Sequence, residues 1–359
     1  MSWLLLLGTA EAEPRMAVRQ GVQCGTCHVN NTGGGMRTDY GNSFSATNLP
    51  TWTVDGSFDP WLGERVRVGT DMRVGAMTSF AADTELDGIE RHVDASSSFE
   101  MPVGNLFLQL EAIPDRLYVY FDETVAPEGA SAREAWMMFE DTSGLYVKAG
   151  RMLLPYGLRI PDDQAYIRQQ TGFTYANQDM ALELGLDRRH IFAAAALSNG
   201  SGGGGDSNLP KQLTGSVAAV NSWGRIGMSA AWNNTSTKDM EFKTATGGVH
   251  GGLRLGRFVQ LAEVDWIHGI STTETYDQWA IYTETDFEVL KGLYLRFAFG
   301  AFDPMVALEE NERDRFVLGM SWFPRQYREL RIDYRINRDI PQRVDENANE
   351  LVIELHAFL

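Results

Sequence analysis

From Trp61 to the last residue, apolar side chains recur at every second position in segments of about ten residues. Between Arg65 and Val74, Val66, Val68, Met72 and Val74 share one face, and Arg65, Arg67, Asp71 and Arg73 share the other. Between Leu330 and Asn337, Leu330, Ile332, Tyr334 and Ile336 oppose Arg331, Asp333, Arg335 and Asn337. Leu293, Leu295, Phe297, Phe299 and Ala301 form another such face, opposed by Tyr294, Arg296 and Gly300. Period two is the signature of a strand, because successive side chains leave the backbone on opposite sides. Sixteen strands are predicted, near 62–76, 98–112, 115–123, 132–140, 144–152, 179–186, 189–197, 212–220, 224–233, 245–255, 257–267, 276–287, 292–302, 313–323, 327–337 and 348–358.

Alternation alone suits a soluble sandwich as well as a membrane barrel. Connection lengths separate the two. Every second connection is short: Ile113-Pro114, Asp141 to Ser143, Asp187-Arg188, Asn221 to Trp223, Gly256, Glu288 to Lys291, Pro324 to Gln326. The intervening ones commonly run to eight to fourteen residues, and the longest, Leu153 to Gln178, to 26. An even number of strands with short turns at one end and long loops at the other predicts an all-β fold, an antiparallel outer-membrane β-barrel. Leu351, Ile353, Leu355, Ala357 and Leu359 carry the alternation to the C-terminus, with an aromatic residue, Phe358, in penultimate place.

The first sixty residues do not follow this pattern. Trp3 to Leu7 is a short apolar run before Ala10-Glu11-Ala12, so residues 1–12 read as a secretory signal peptide. The run is far below the roughly 20 residues that a spanning helix needs. Residues 13–60 form a second unit, and 61–359 the barrel.

The second unit carries the chemistry. Cys24-Gly25-Thr26-Cys27-His28 is C-x-x-C-H, in which two thiols bond the vinyl groups of a c-type haem and the histidine is its proximal iron ligand. These are the only two cysteines in the chain, so no second pair is present to complete a zinc site. One covalent haem c is expected, on Cys24, Cys27 and His28. Met36, the methionine that closely follows the motif, is a candidate distal ligand, although methionine also serves as plain apolar filler. His356 is the alternative, being on the inferred lumen face near the periplasmic end. His250 and His268 are weaker candidates, and His92 and His190 have no evident partner.

A segment of 48 residues, rich in Gly, Asn and Thr at Asn30 to Gly35, is too short to enclose a haem by itself. It is expected to plug into the barrel, whose lumen wall supplies the rest of the pocket. The loop Leu153 to Gln178, with Pro155, Tyr156, Arg159, Asp162, Asp163 and Arg168, is either an inward-folding constriction or an ordinary surface loop. Gly202 to Gly205 reads as an exposed flexible loop, not a phosphate cradle, because no helix signal follows.

At this point the chain resembles the fused outer-membrane monohaem cytochrome–porins of iron-oxidising bacteria. The likeness lies in Ala17-Val18-Arg19-Gln20-Gly21, in Cys24 to His28, and in Tyr40-Gly41-Asn42-Ser43-Phe44. The chain departs from that family's pattern after the haem motif, where Gly33-Gly34-Gly35-Met36 replaces a proline-containing stretch. The resemblance implies a sixteen-stranded barrel and carries over Cys24, Cys27 and His28 as haem-bearing residues.

The net charge of −17 argues against nucleic acid as a partner and is consistent with drawing in cations. Asp83, Glu85, Asp87 and Glu90 fall in one outer loop, and Asp303, Glu309, Glu310 and Glu312 in another. Carboxylates suit transient capture of Fe²⁺, and equally a solvated surface facing outer-membrane lipid. The leading expectation is electron transfer across the outer membrane, from extracellular Fe(II) to a periplasmic c-type cytochrome, with the N-terminus periplasmic. If the chain is an enzyme, it is an Fe(II)-oxidising cytochrome. The alternatives are outward transfer to an external acceptor and a diffusion porin with a haem plug. No G-x-S-x-G or H-E-x-x-H motif supports hydrolysis.

Overall fold

The computed structural model describes residues 13–86, 88–127, 129–206, 208–236 and 242–359. The signal-peptide expectation at 1–12 lies outside the described residues, as does Asp87.

Sixteen strands close on themselves. They are β1 (Val66–Ser79), β2 (Ser96–Ile113), β3 (Leu117–Ala126), β4 (Ser131–Glu140), β5 (Leu145–Met152), β6 (Asp179–Arg188), β7 (Ile191–Ser198) and β8 (Gln212–Asn221). The circuit continues through β9 (Gly224–Asn234), β10 (Phe242–Leu255), β11 (Phe258–Ser271), β12 (Thr275–Leu290), β13 (Leu293–Asp303), β14 (Arg313–Trp322), β15 (Arg328–Arg338) and β16 (Glu350–Phe358). Each pairs antiparallel with its sequence neighbours, and β16 returns to β1 in the register Glu350↔Ser79 to Phe358↔Asp71. Closure leaves no unpaired strand edge, which is the condition for strands to cross a bilayer.

The two faces have opposite chemistry. On β2, Leu106, Leu108 and Leu110 point outward and are exposed, as are Leu295 and Phe297 on β13 and Ile353 and Leu355 on β16. Trp266 and Trp279 are outward cross-strand partners towards the long loops, and Phe258 and Phe287 are partners towards the short turns. An apolar belt with aromatic ends is the surface a bilayer selects. The inner face is ionic. Lys148 meets Glu183 at 2.9 Å with both side chains fully buried, Arg133 meets Asp122 at 3.5 Å, and Arg296 pairs with Asp333. Arg65, which the alternation groups with the lumen-facing Arg67, Asp71 and Arg73, is instead exposed at the short-turn rim and donates to the Ala112 carbonyl.

Short turns and long loops do segregate to opposite ends, with one correction. Connections 127–130 and 272–274 lie at the long-loop end yet are short, because their strands continue beyond the expected limits. Those extensions, Thr124 to Ala126 and His268 to Ser271, mix small, polar and apolar residues, so the period-two signal stops before the pairing does. The first long connection holds a hairpin of its own, Ala82–Leu86 against Ile89–Val93.

Residues 13–49 lie in the short-turn end of the lumen with three helices, α1 (Pro14–Gln20), α2 (Cys24–Cys27) and α3 (Asp39–Thr47), and residues 51–59 cross the exposed rim to the first strand. From the opposite end, 153–178 folds inward and carries α4 (Tyr166–Gln169), which resolves that loop as a constriction.

Candidate functional site

The haem motif is placed by a compact series of local devices. Pro14 opens α1 at its first turn, and Gly21 caps it at φ 65°. Arg15 reaches Asp286 of β12 at 2.7 Å, and Arg19 reaches Glu288 at 2.8 Å, fixing α1 to the wall. α2 is a single turn over the motif itself, closed by His28 N–H donating to the Cys24 carbonyl at 3.0 Å.

The chain then doubles back. Gly33, Gly34 and Gly35 all have positive φ, at 92°, 86° and 66°, a run that other residues adopt only with strain. The reversal brings Arg37 opposite His28 as an antiparallel bridge, with Val29 N–H bonded to the Met36 carbonyl at 2.9 Å. Thr38 caps α3 by accepting from Gly41 N–H at 3.1 Å. A Cβ at Gly41 would lie 2.2 Å from the Cys27 carbonyl, so only glycine lets α3 rest on the motif.

Cys24, Cys27 and His28 line one crevice of about 760 Å³, open mouth included. The segment contributes Met16, Arg37, Phe44 and Leu49, and the barrel contributes Arg73, Phe323, Glu329, His356 and Phe358. Arg15, Arg37, Glu329 and the aromatic walls were not singled out in the sequence. Only the terminal aromatic position of Phe358 gave any signal, because strand register alone decides which lumen residues meet the segment.

Burial, reinforced by the Arg37 charge, pushes the His28 imidazole down to about 3, with the Gly35 backbone opposing. The ring is therefore neutral at ordinary pH, the form that binds a metal. Burial and the neighbouring Cys24 push the Cys27 thiol up to about 11, far from the depressed values of redox dithiols. Arg225 approaches the Cys24 sulfur at 3.3 Å. Arg37 forms no ion pair among the described residues, and its guanidinium lies 4.0 Å over the Phe358 ring.

These residues fit a haem. Among the described residues no three His, Cys, Asp or Glu side chains converge as ligands of one metal ion. The two thiols and the imidazole instead border a shared apolar crevice, as three separate attachments to a large flat group require. The unpaired Arg37 cation suits that group's carboxylate arms.

Met36 lies elsewhere. Across the His28–Arg37 bridge, His28 and Arg37 share one face, so Val29 and Met36 share the other. Both belong to a buried cluster with Phe107, Tyr120, Trp136, Met152, Leu154, Tyr156 and Phe173. Met36 N–H donates to the Tyr120 hydroxyl at 3.1 Å, and the Met36 side chain is not part of the crevice wall. The methionine expectation therefore gains nothing from the geometry. His356 does line the crevice. His250 is buried on the lumen face away from the crevice, His268 pairs with Asp277 at 2.8 Å, and His92 lies in the exposed hairpin.

A vestibule opens at each end of the lumen. One, of about 870 Å³ at the long-loop end, is lined in part by Leu154 and Phe173. The other, of about 1430 Å³ at the short-turn end, is lined in part by His28, Val29 and Met138. The cluster around Met36 contributes walls to both.

No family model and no characterised protein matches the sequence. Solved structures do match. The chain is similar to the anion-selective porin from Comamonas acidovorans at 10% identity and a TM-score of 0.59, over 82% of this chain and 99% of that one. In-vitro folded OmpT, an outer membrane protein of Vibrio cholerae, matches at 11% and 0.62, over 84% and 100%. Salmonella typhi OmpF in complex with daunomycin matches at 9% and 0.60, over 83% and 98%. The chain thus has the porin fold, a closed antiparallel barrel of sixteen strands, with its lumen occupied by an N-terminal haem-motif segment and an inward loop.

Proposed function

We propose that this protein sits in the outer membrane, carries one covalent haem c in its lumen, and moves electrons between the exterior and the periplasm. The observation that carries the reading is the crevice: the only two cysteines of the chain and His28 line a cavity walled by the segment on one side and the barrel on the other. Cys24 and Cys27 hold the haem, and His28 is its proximal ligand. When bound, the haem supplies one-electron chemistry at a potential set by axial ligand, burial and hydrogen bonding.

The barrel's own residues do the rest. The apolar belt seats the chain in lipid, and short turns are periplasmic in such barrels, so the N-terminal segment faces the periplasm. Packed side chains between the two vestibules pass electrons where ions would need water. Outside, exposed Asp83, Glu85 and Glu90 of the hairpin, with Glu309, Glu310 and Glu312, attract a cationic donor, for which Fe²⁺ is the reading. The short-turn vestibule offers six carboxylates (Asp39, Glu64, Glu111, Asp115, Glu140 and Asp187) against Arg67, Arg188 and Arg189. That balance suits a periplasmic c-type cytochrome with a basic docking face.

The porin fold favours a second reading, a diffusion porin in which the haem segment is a plug. Anaerobic mixing of the oxidised protein with Fe²⁺ separates the two. Rapid growth of the reduced haem α-band supports inward electron transfer. A band that appears with dithionite and not with Fe²⁺, together with ion conductance in planar bilayers, overturns it in favour of the porin.

A further inference from the structure

We propose that His356, on the last strand of the barrel, is the second axial ligand of the haem held at His28, with Glu329 as its positioning residue. This rests on the reading that Cys24, Cys27 and His28 carry a covalent haem. It adds that the barrel wall, and not the cytochrome segment, completes the iron's ligand set.

Besides His28, two side chains in the crevice wall carry atoms that serve as haem-iron ligands: Met16 of α1 and His356 of β16. Met16 packs against the apolar group of Leu49, Tyr294, Phe323 and Phe358, where a thioether serves as filler. His356 is held very differently. Its Nδ1 is 3.0 Å from a Glu329 carboxylate oxygen on the neighbouring strand, in the directly opposed register pair Glu329↔His356. Its ring leans on Phe358 with centroids 4.7 Å apart. A histidine ligand that donates its other ring N–H to a carboxylate has a fixed tautomer and orientation and is more basic as a ligand. With Nδ1–H donated to Glu329, Nε2 is the coordinating atom.

Nε2 is 3.0 Å from Asp71 and 3.4 Å from an Arg73 nitrogen. Binding iron through Nε2 would require His356 to give up the Asp71 contact, and Asp71 would keep Arg73, whose Nε approaches it at 3.4 Å. His28 and His356 thus approach one crevice from the segment and from the wall. A device of this kind couples haem loading to docking, because the ligand set is complete only when residues 13–60 are seated in the barrel.

The test is spectroscopic and uses the purified holoprotein in detergent. Ferric wild type should be low-spin, with bis-imidazole electron paramagnetic resonance and no thioether-to-iron charge-transfer band in the near infrared. H356A should become high-spin and return to low spin when imidazole is added. H356M should gain the thioether band, a readout that a merely structural role for position 356 would not produce. M16L should stay low-spin and gain no thioether band, which tells the two candidate ligands apart. A thioether band in wild type that M16L removes overturns the proposal, as does H356A that stays low-spin. If H356A does not fold, the wild-type and H356M spectra decide the matter by the same criteria. Haem content by pyridine haemochrome separates the two levels. No covalent haem in wild type overturns the underlying reading, whereas haem present but indifferent to position 356 overturns this inference alone.

Discussion

Two segments fill the lumen from opposite ends, and they are built for different tasks. The N-terminal segment is anchored to the wall by two short ion pairs, Arg15 to Asp286 and Arg19 to Glu288, and by the Asn30 amide donating to Glu134 at 3.0 Å. Its packing leaves a crevice. The loop 153–178 is held by Leu158 N–H to Glu263 at 2.6 Å and the Tyr156 hydroxyl to Asp265 at 2.8 Å, with a longer ion pair of Asp162 to Arg335 at 3.7 Å. Its Leu158, Ile160 and Ile167 pack against Val259, Leu261 and Val317. Both inserts border open space, but the space beside the N-terminal segment is lined by Cys24, Cys27 and His28, whereas the loop packs its aliphatic side chains against the wall and borders a vestibule without such groups. Under the proposed function, the crevice end would serve the haem and the loop end would control access.

The largest effect should come from removing the crevice's attachment points. The double variant C24A/C27A should lose all covalent haem on a denaturing gel, while strand content by circular dichroism stays unchanged. Deleting residues 156–175 should raise single-channel conductance and leave the haem absorbance of the purified protein in place. Equal disturbance of both would erase the contrast between the inserts. Asp286→Ala removes the ion pair that ties α1 to the wall and leaves the Arg15 cation, whose side chain is 4% exposed, with Glu13 of its own segment at 2.9 Å. The cost should fall below about 3–5 kcal/mol, that of a buried charge left wholly uncompensated. Hydrogen exchange should therefore rise in residues 13–22 and not in 153–178. Ile160→Ala acts in reverse, at about 2–5 kcal/mol for a buried aliphatic, and should speed protease cleavage of the loop alone.

The smallest effect is a pH dependence. Burial raises the Asp163 carboxyl from 3.8 to about 6, against the opposing Arg168 charge. The docked loop then binds a proton more readily than the undocked loop, so docking strengthens as pH falls from above 6 towards 4. Loop protease sensitivity should drop over that window, and Asp163→Asn should flatten the profile.

The wall was legible in the sequence because each strand repeats one rule: Leu106, Leu108 and Leu110 face lipid, while Asn105, Phe107 and Gln109 face the lumen. Lipid and lumen impose that rule residue by residue, so no knowledge of neighbours is needed. The hairpin at Ala82–Leu86 and the strand extensions beside 127–130 and 272–274 were not legible, because water on both faces removes the contrast. The loop 153–178 showed only its length, and its inward turn depends on Glu263 and Asp265, about a hundred residues away in sequence.

The haem motif divides the same way. C-x-x-C-H is chemistry written in five adjacent residues, so Cys24, Cys27 and His28 needed no fold to be found. The other side of the crevice did need one. Met36 is near in sequence and faces away, since a hairpin bridge puts alternate residues on opposite sides. His356 is 328 positions from His28 and lines the same cavity, because closing β16 onto β1 brings the end of the chain back to its beginning. Local periodicity and local chemistry are properties of neighbouring residues and can be read from order alone. Which distant side chains share a cavity is set by strand register and barrel closure, and only the tertiary structure decides it.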